Sequence, residues 1–269
     1  MRGLTDYHTH NALCRHAEGR PVDYARQAEK IGLAEFGCSD HSPMEDDDFD
    51  DWRMKWSEFP QYVAEVEEAR SGVEIPVRLG LEVDYLEGGE GWIERLSKAA
   101  DFDYLIGAVH YIAPEWAVDD PQWIGKFRDE ASVEEIWGTY WRIYTKCVAS
   151  GLFDILAHPD LPKKFGHTPG GDLKRFYAPA IEAAVAADVV FEVNTAGYRK
   201  DCSEQYPSGE FLDLMREANL PVVINSDAHA PEEVGAGFCD ALQLVRAAGF
   251  TETVRFEKRG RKVVPLPEA

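Results

Sequence analysis

The sequence predicts an α/β protein in which a parallel sheet closes into a barrel. Seven β-rich segments alternate with seven amphipathic helical segments along the 269 residues, and the polar residues of the β-rich segments gather at their C-terminal ends. Because no glycine-rich dinucleotide fingerprint follows the first strand, a closed barrel is favoured over an open sheet. No linker or repeat divides the chain, so we predict one domain over residues 1–269.

The predicted elements follow one another in a regular order. The strand segments are 4–10, 33–41, 76–85, 103–111, 153–160, 188–196 and 221–229. The helical segments are 21–32, 57–72, 89–100, 132–151, 173–187, 209–220 and 231–249. Several helices begin with Pro, Ser or Gly near an acidic residue and end at Gly or Asn, as helix capping favours. A strand–helix alternation of this kind implies parallel strands.

Composition argues against several functional classes. With 28 basic and 49 acidic residues the formal net charge is −21, which argues against binding nucleic acid or an anionic membrane surface. The five cysteines are scattered and form no C-x-x-C pair, so we expect no disulfide framework and a cytoplasmic location. The N-terminus has no signal-peptide pattern, and the apolar stretch 183–193 is too short to span a bilayer.

Every predicted strand ends in polar residues. In chain order these are His8 and His10, Asp40 and His41, Glu82 and Asp84, His110, His158 and Asp160, Asn194, and Asp227 and His229. The C-terminal ends of parallel barrel strands form one face, where active sites lie. A random distribution of polar residues would not select the same end of each strand, so this pattern predicts a functional site there.

The residue types at this face predict a metal centre. Residues at i and i+2 of a strand point the same way, so His8 can chelate with His10, and Asp227 with His229. His16 follows on a loop, and His167 alone of the eight histidines lies away from these places. With Glu82, nine candidate ligands result, which suits two or three ions at about three to four protein ligands each.

Imidazole and carboxylate ligands without thiolate favour zinc, manganese or iron over magnesium or calcium. Any one of these histidines, taken alone, could instead be a hydrogen-bonded core residue. Asp84 and Asp6 could each orient a ligand imidazole or form an ordinary ion pair. A carboxylate such as that of Glu82 can bridge two cations.

These motifs resemble those of a known family. "DYHTH", "SDH", "GLEVDY", "AVHY", "AHPD" and "NSDAH" resemble the successive motifs of the PHP (polymerase and histidinol phosphatase) superfamily, from residue 6 to about residue 240. "CRHAEG", "SDHSP", "HPDL" and "EVNTAGYRK" followed by "YPS" are similar to its histidinol-phosphate phosphatase branch. The resemblance implies a distorted (β/α)7 barrel with three divalent ions at the C-terminal strand ends, with Glu82 bridging two of them. It assigns the ligands to His8, His10, His16, His41, Glu82, His110, His158, Asp227 and His229.

Several divalent ions at a barrel mouth suit hydrolysis of a phosphate monoester. A metal-bound water loses its proton near neutral pH and attacks, so no serine or cysteine nucleophile is needed. Cys14 and Cys38 are therefore interpreted as small apolar residues. The resemblance implies that the substrate is L-histidinol phosphate, cleaved to L-histidinol and phosphate in histidine biosynthesis. Asp160 could donate the proton to the leaving alkoxide, or equally support a ligand.

A phosphate also needs fixed cationic donors. Arg199 is the first candidate because a guanidinium binds phosphate in a bidentate fashion. The resemblance to the histidinol-phosphate phosphatase branch also implies that the arginine of the EVNTAGYRK motif contacts phosphate. Lys163 and Lys164 follow the fifth strand where the branch often carries arginine, and Arg15 is a further candidate.

Three segments have open roles. The acidic run 45–52 and the segment 112–121, with Glu115 and Trp116, could be solvated loops or lids over a cationic substrate. The basic tail 256–269 could form an eighth strand or a subunit contact, and the sequence does not indicate the oligomeric state.

Other functions fit the sequence less well. One is a PHP phosphoesterase of other specificity, acting on a nucleotide or sugar phosphate or as an exonuclease. An amidohydrolase-type barrel also begins with a strand-borne histidine pair. A catalytically silent metal-binding or regulatory module would have lost ligands, and no ligand position is lost here.

Overall fold

The computed structural model describes residues 1–268, in which α-helices alternate with parallel strands as predicted. The helices are α1 (Pro21–Ile31), α2 (Phe59–Gly72), α3 (Glu90–Leu96), α4 (Glu130–Ala149), α5 (Lys174–Ala187), α6 (Gly209–Glu217) and α7 (Phe238–Ala247). The strands are β1 (Thr5–Asp6), β2 (Glu35–Cys38), β3 (Val77–Leu79), β4 (Glu82–Asp84), β5 (Ile106–Ala108), β6 (Tyr111–Ala113), β7 (Trp116–Ala117), β8 (Ile155–Leu156), β9 (Val190–Asn194), β10 (Val222–Asn225), β11 (Glu252–Glu257) and β12 (Gly260–Pro265). Each predicted helical segment overlaps one α-helix.

The parallel strands form two sheets, with strand orders β1-β2-β3 and β10-β9-β8-β5-β4. Isolated parallel bridges between Thr9 and Ala228 and between His41 and Glu82 connect the two sheets. Each of the seven predicted strand segments contains at least one of these parallel strands. The mixed α/β architecture with parallel strands is therefore confirmed.

Capping contacts define the start of α4 and the end of α1. The Asp129 side chain accepts a hydrogen bond from the Ser132 amide at 2.9 Å and so begins α4. Gly32 ends α1 with a φ of 82°, a left-handed conformation that glycine adopts without steric penalty. These ends set the helix lengths between consecutive strands.

The third predicted strand is interrupted and becomes β3 and β4, which belong to different sheets. At the break, a Cβ on Gly80 would lie 2.4 Å from the Tyr104 ring, so only glycine fits there. The Tyr104 hydroxyl donates to the carbonyls of Tyr7 at 2.6 Å and Cys38 at 3.1 Å. Tyr104 therefore fills the gap at which the chain passes from one sheet to the other.

The C-terminal tail is an antiparallel hairpin, β11–β12, and does not add an eighth strand to the parallel sheets. Phe256 packs against Tyr7, with ring centroids 5.7 Å apart, and the Thr253 hydroxyl donates to the Val222 carbonyl at 2.8 Å. Val254 and Phe256 thereby join an inner apolar cluster with residues of the parallel strands. Its other members are Tyr7, Tyr104, Ile106, Ala108, Ile155, Ala157, Val190 and Val223.

A larger apolar core includes buried residues of all seven of these α-helices and of the parallel strands. Within residues 1–268, none of the helices has the length and apolar character needed to cross a bilayer.

Candidate metal centre

The carboxylate of Glu82 lies inside a buried cluster of imidazoles. Glu82 begins β4 and is 1% exposed. Its Oε1 lies 2.9 Å from His158 Nε2, 3.3 Å from His8 Nε2 and 3.7 Å from His110 Nε2. Its Oε2 lies 2.8 Å from His41 Nδ1. One carboxylate thus contacts imidazoles that follow four different strands.

Asp227 extends the cluster toward solvent. Its Oδ1 lies 3.1 Å from His10 Nε2 and 3.6 Å from His229 Nδ1. His229 Nε2 is in turn 3.2 Å from His16 Nε2. The nine candidate ligands from the sequence therefore share one site. They are His8, His10, His16, His41, Glu82, His110, His158, Asp227 and His229.

Backbone conformation at the strand ends directs these side chains into one place. His8 and His10 flank Thr9, whose bridge to Ala228 holds the first and last parallel strands together. His158 and Asp227 have positive φ angles of 21° and 51°, a region that non-glycine residues rarely adopt. Strained residues of this kind concentrate at functional sites, where the surrounding structure maintains them.

The donor atoms of the cluster fit a bound cation. His8 Nε2, His10 Nε2, His41 Nδ1 and Glu82 Oε2 are buried, and within the described residues their close contacts do not have hydrogen-bond geometry. An unsatisfied buried polar atom costs about 1–3 kcal/mol, so a cluster of them needs compensation. A cation coordinated by imidazole nitrogens and carboxylate oxygens supplies it.

Three triads in the cluster each place their ligand atoms within 4.8 Å of one another. They are His8, Glu82 and His158; His8, His10 and Asp227; and His10, His41 and His229. The site therefore has the donor chemistry of divalent metal binding at more than one point.

Two carboxylates outside the cluster contact candidate-ligand imidazoles at Nδ1, the nitrogen that faces away from Glu82. Glu192 Oε2 lies 3.0 Å from His8 Nδ1, and Asp84 Oδ1 lies 2.8 Å from His110 Nδ1. Such contacts fix the tautomer and orientation of a metal-binding imidazole. Asp84 also pairs with Arg53 at 2.8 Å, so it has both of the roles that the sequence left open.

Glu192 was not identified from the sequence as a site residue. It is fully buried on β9 and accepts hydrogen bonds from the His158 amide and from the Asn194 and Asn225 side chains, each at 2.8 Å. The available signal was an acidic residue in an apolar strand, two positions before Asn194 and therefore on the same face.

Asp6, whose role was also open, contacts Ser226 and Gly235 instead of a ligand imidazole. It accepts hydrogen bonds from the Ser226 amide at 3.0 Å and the Gly235 amide at 3.1 Å. Burial raises the pKa of Asp6 to about 6, against the opposing effect of these hydrogen bonds. Asp6 therefore holds the loop after β10 that carries two of the candidate ligands.

The buried carboxylates control the electrostatics of the cluster. Burial lowers the pKa of His8, but the charges of Glu192, Asp227 and Glu82 outweigh it and raise that pKa well above its ordinary value. Burial raises the pKa of Glu82, but the neighbouring imidazoles, His8 and His41 foremost, outweigh it and hold that pKa well below its usual range. The carboxylates stay ionised, and the site attracts cations.

A cavity of about 600 Å³ opens over the cluster, and Arg199 forms part of its wall. Arg199 Nη2 donates to the carbonyls of Ser226 at 3.0 Å and Asp227 at 3.2 Å, and Nε lies 3.3 Å from Glu233. The guanidinium is therefore held beside the candidate ligand Asp227.

The two candidate lysines separate. Lys164 lines the cavity and pairs with Asp119 at 2.9 Å. Lys163 is buried outside the cavity lining, where its ammonium donates to Glu204 at 2.8 Å and to the Gln205 carbonyl at 2.7 Å. Of the two, only Lys164 can reach a bound ligand from this position.

Arg15 and Asp160 also lie outside the cavity lining. Arg15 pairs with Glu58 on the surface. Asp160 is fully buried and accepts a hydrogen bond from the Ser208 amide at 2.8 Å, and burial raises its pKa to about 6. The expectation that Asp160 points with His158 assumed an extended backbone, but Asp160 has a φ of 62°.

The two segments with open roles, 45–52 and 112–121, both border the cavity. Asp51 and Trp52 line it from the acidic run, and the Trp52 ring stands perpendicular to the His41 ring with centroids 4.7 Å apart. From segment 112–121 the lining residues are Ala117, Asp119, Asp120 and Pro121, not Glu115 or Trp116. Asp46, Asp47 and Asp48 instead stabilise their own loop, for example through the hydrogen bond from the Trp56 amide to Asp47.

The chain is similar in sequence to known proteins over nearly its whole length. The model of the PHP domain family matches residues 6–196. A protein of Deinococcus radiodurans named "probable histidinol-phosphatase" is 37% identical over 98% of this chain and 100% of its own length. The histidinol-phosphatase of Bacillus subtilis is 24% identical over 87% of this chain and 96% of its own.

Among solved structures, the histidinol phosphate phosphatase of Lactococcus lactis, in complex with zinc, L-histidinol and phosphate, has a similar fold. The TM-score is 0.82 at 19% identity, covering 97% of this chain and 100% of that one. Asp227 and His229 lie beyond the residues that the family model matches, yet they complete the cluster.

Proposed function

The chain belongs to the PHP domain family, and we propose that it hydrolyses L-histidinol phosphate to L-histidinol and inorganic phosphate as a metal-dependent phosphomonoesterase. The name and near-complete alignment of the 37% identical relative support this activity. The same reaction class is supported by a cluster of nine candidate ligands beneath a cavity that a guanidinium borders. The enzyme would act in histidine biosynthesis.

The observation that carries the proposal is the set of buried imidazole nitrogens and carboxylate oxygens that converge around Glu82 and Asp227 without satisfying one another by hydrogen bonds. We propose that the nine ligands hold three divalent ions, zinc, manganese or iron, and that Glu82 lies between two of them. When bound, such ions activate water and neutralise charge that develops on the phosphate. Glu82 and Asp227 remain ionised to hold them, while Glu192 and Asp84 orient His8 and His110.

The cavity wall supplies contacts to the rest of the substrate. Arg199 is oriented by carbonyls of the loop that bears Asp227, and its remaining guanidinium donors can bind non-bridging phosphate oxygens. Lys164 adds a second cation on the wall. Asp51 and Trp52 offer an anionic and an aromatic surface to the ammonium and imidazole of histidinol phosphate.

We also propose that the two parallel sheets form one distorted seven-stranded barrel and that residues 1–269 are a single domain. The bridges Thr9–Ala228 and His41–Glu82 support this closure, as do the ligands contributed by both the first and the last parallel strands. All five cysteines are free thiols, which fits the reducing cytoplasm as the place of action.

The test is hydrolysis of L-histidinol phosphate beside p-nitrophenyl phosphate, a nucleoside monophosphate and a sugar phosphate, with metal content measured on the same sample. We expect kcat/KM for histidinol phosphate to exceed the others by about a hundredfold, or about 2.7 kcal/mol. Removal of metal with a chelator should abolish activity on all four esters. Metal-dependent activity without this preference would indicate a PHP phosphoesterase of other specificity, the alternative that the sequence left open.

A further inference from the structure

Arg53 is a buried guanidinium between the metal centre and the wall of the cavity. Its side chain is 4% exposed, and all three of its nitrogens are used. Nε donates to both oxygens of Asp50 at 2.8 and 3.0 Å, Nη1 to the Ser42 carbonyl at 3.2 Å, and Nη2 to Asp84 at 2.8 Å. Such a buried cation must have a defined geometry to balance its desolvation.

The first branch of this network leads to a candidate metal ligand. Asp84 binds Arg53 through Oδ2 and accepts from His110 through Oδ1, at 2.8 Å from Nδ1 and 3.2 Å from the backbone amide. The carboxylate is therefore shared, and Arg53 fixes the oxygen that orients the imidazole. Loss of the guanidinium would free Asp84 to rotate and leave its buried charge less compensated.

The second branch leads to the cavity wall. The Arg53 guanidinium carbon lies 4.1 Å from the centroid of the Trp52 ring. Asp50 accepts a hydrogen bond from the Tyr111 hydroxyl at 2.9 Å, and this hydroxyl accepts one from Trp52 Nε1 at 3.0 Å. Arg53, Asp50, Tyr111 and Trp52 thus form a closed ring of contacts. Trp52 is held on both its face and its indole nitrogen.

We propose that Arg53 is a positioning residue that fixes the Trp52 wall of the cavity and the ligand His110 as one unit, so that preference for a ring-bearing phosphate ester depends on it. The inference rests on the proposed function for its substrate. Trp52 presents an aromatic face where the imidazole of the substrate would lie, and a mobile Trp52 would lose that contact. Arg53 itself does not line the cavity over the metal centre, so it would act through Trp52 and Asp84.

Lysine cannot replace this guanidinium fully. Arginine carries five donors in a planar fork, whereas an ammonium is a point charge on a flexible stem. Arg53→Lys can keep the ion pair with Asp84, and with it the orientation of His110. It cannot at the same time donate to Asp50, donate to the Ser42 carbonyl and cover the Trp52 face with a planar group. The two branches are therefore separable by one substitution.

The experiment compares Arg53→Lys and Arg53→Met with the matched control Lys55→Met, whose side chain on the same loop is 49% exposed. The first measurement is kcat and KM for L-histidinol phosphate and for glycerol phosphate, an ester without a ring. The others are metal content after dialysis and amide hydrogen exchange of residues 42–55. We expect Arg53→Lys to raise KM for histidinol phosphate about fivefold or more. A change of this size corresponds to the loss of one cation–π or aromatic contact with the substrate. Glycerol phosphate kinetics and metal content should stay within about twofold, while amide exchange in residues 42–55 becomes faster.

Arg53→Met should in addition lose metal, by about tenfold in affinity, because Asp84 no longer orients His110. Tyr111→Phe breaks the Trp52 branch without touching Asp84, so it should reproduce the Arg53→Lys effects even if Arg53→Met fails to fold. Lys55→Met should leave the kinetics on both esters and the metal content unchanged, because Lys55 contacts neither Asp84 nor Trp52.

An equal loss on both esters, or unchanged exchange in residues 42–55 for Arg53→Lys and Tyr111→Phe, would overturn the positioning role. If the wild-type protein shows no preference for histidinol phosphate, the proposed function alone is refuted. In that case metal content and amide exchange of the Arg53 variants still decide whether Arg53 couples the loop to His110.

Discussion

Replacing Glu192 with glutamine should weaken metal binding although Glu192 is not itself one of the nine candidate ligands. Oε1 accepts hydrogen bonds from the His158 amide and the Asn194 side chain, both at 2.8 Å, and Oε2 accepts one from Asn225 at 2.8 Å. His8 Nδ1 lies 3.0–3.1 Å from both oxygens. Every neighbour is a donor, so the new amide NH2 must face a donor whichever way it turns.

The size of the effect follows from these contacts. If the NH2 replaces Oε2, it opposes the Asn225 amide, which cannot flip freely because its Oδ1 accepts the Tyr7 amide at 2.9 Å. Hydrogen bonds to a charged group contribute about 1.5–3 kcal/mol each, and the bond to His8 loses its charge. Loss of a carboxylate that orients a metal-binding imidazole weakens metal affinity by about 10–100-fold, or about 1.4–2.8 kcal/mol. We expect Glu192→Gln to fall in that range.

The assay is competition between the metal-free protein and a chromophoric chelator for zinc, with Glu182→Gln on the exposed side of α5 as the matched control. Excess metal should restore most of the activity of Glu192→Gln, because the ligands themselves are unchanged. Zinc affinity within about twofold of wild type would refute the argument that Glu192 holds His8. So would a loss of affinity that the exposed control variant shares.

Three further outcomes are expected. Arg199→Met should raise the inhibition constant of inorganic phosphate and KM for any phosphate ester about tenfold, with Arg199→Lys intermediate, as measured by steady-state kinetics. Asp51→Asn should raise KM for histidinol phosphate a few-fold and leave KM for p-nitrophenyl phosphate unchanged. Asp48→Asn should change neither KM. Equal effects of the two variants would indicate that only the overall negative charge of the protein acts on the substrate. Phe256→Ala should lower the free energy of unfolding by about 3–5 kcal/mol in denaturant titrations yet leave kcat/KM within about twofold, and a selective loss of activity would contradict a purely packing role.

The convergence of the nine candidate ligands could be predicted because it depends on local features of the chain. Parallel strands end on one face, so polar residues at strand ends converge whatever the details of the loops. Pairs such as His8 and His10 follow from the two-residue period of an extended chain. The same rule misplaced Asp160, because the backbone after β8 leaves the extended region at His158 and Asp160. Local φ values of this kind leave no clear mark in a single sequence.

Residues that act through a partner were harder to identify. Glu192 lies within an apolar run, and its role depends on His8, which is 184 positions away. The alternation of Val254 and Phe256 with charged neighbours indicates a strand, but not that this strand would pack against Tyr7 inside the fold. Lys163 and Lys164 are adjacent in sequence, and only the turn that carries them decides which one reaches the cavity. The positions and roles of these residues depend on contacts with residues distant in sequence, which the residue type alone does not indicate.

The charge of the whole chain bears on the kind of substrate that the site selects. A net charge of −21 repels phosphate dianions at long range, so a simple phosphate ester gains little from the field of the protein. The cavity itself carries both signs, with Arg199 and Lys164 on its wall together with Asp51 and Asp120. A substrate with a phosphate at one end and an ammonium and imidazole at the other has a smaller net charge and meets both sets of groups. This distribution of charge therefore favours histidinol phosphate over nucleotides and polyanionic chains, for the same reason that it disfavours nucleic acid.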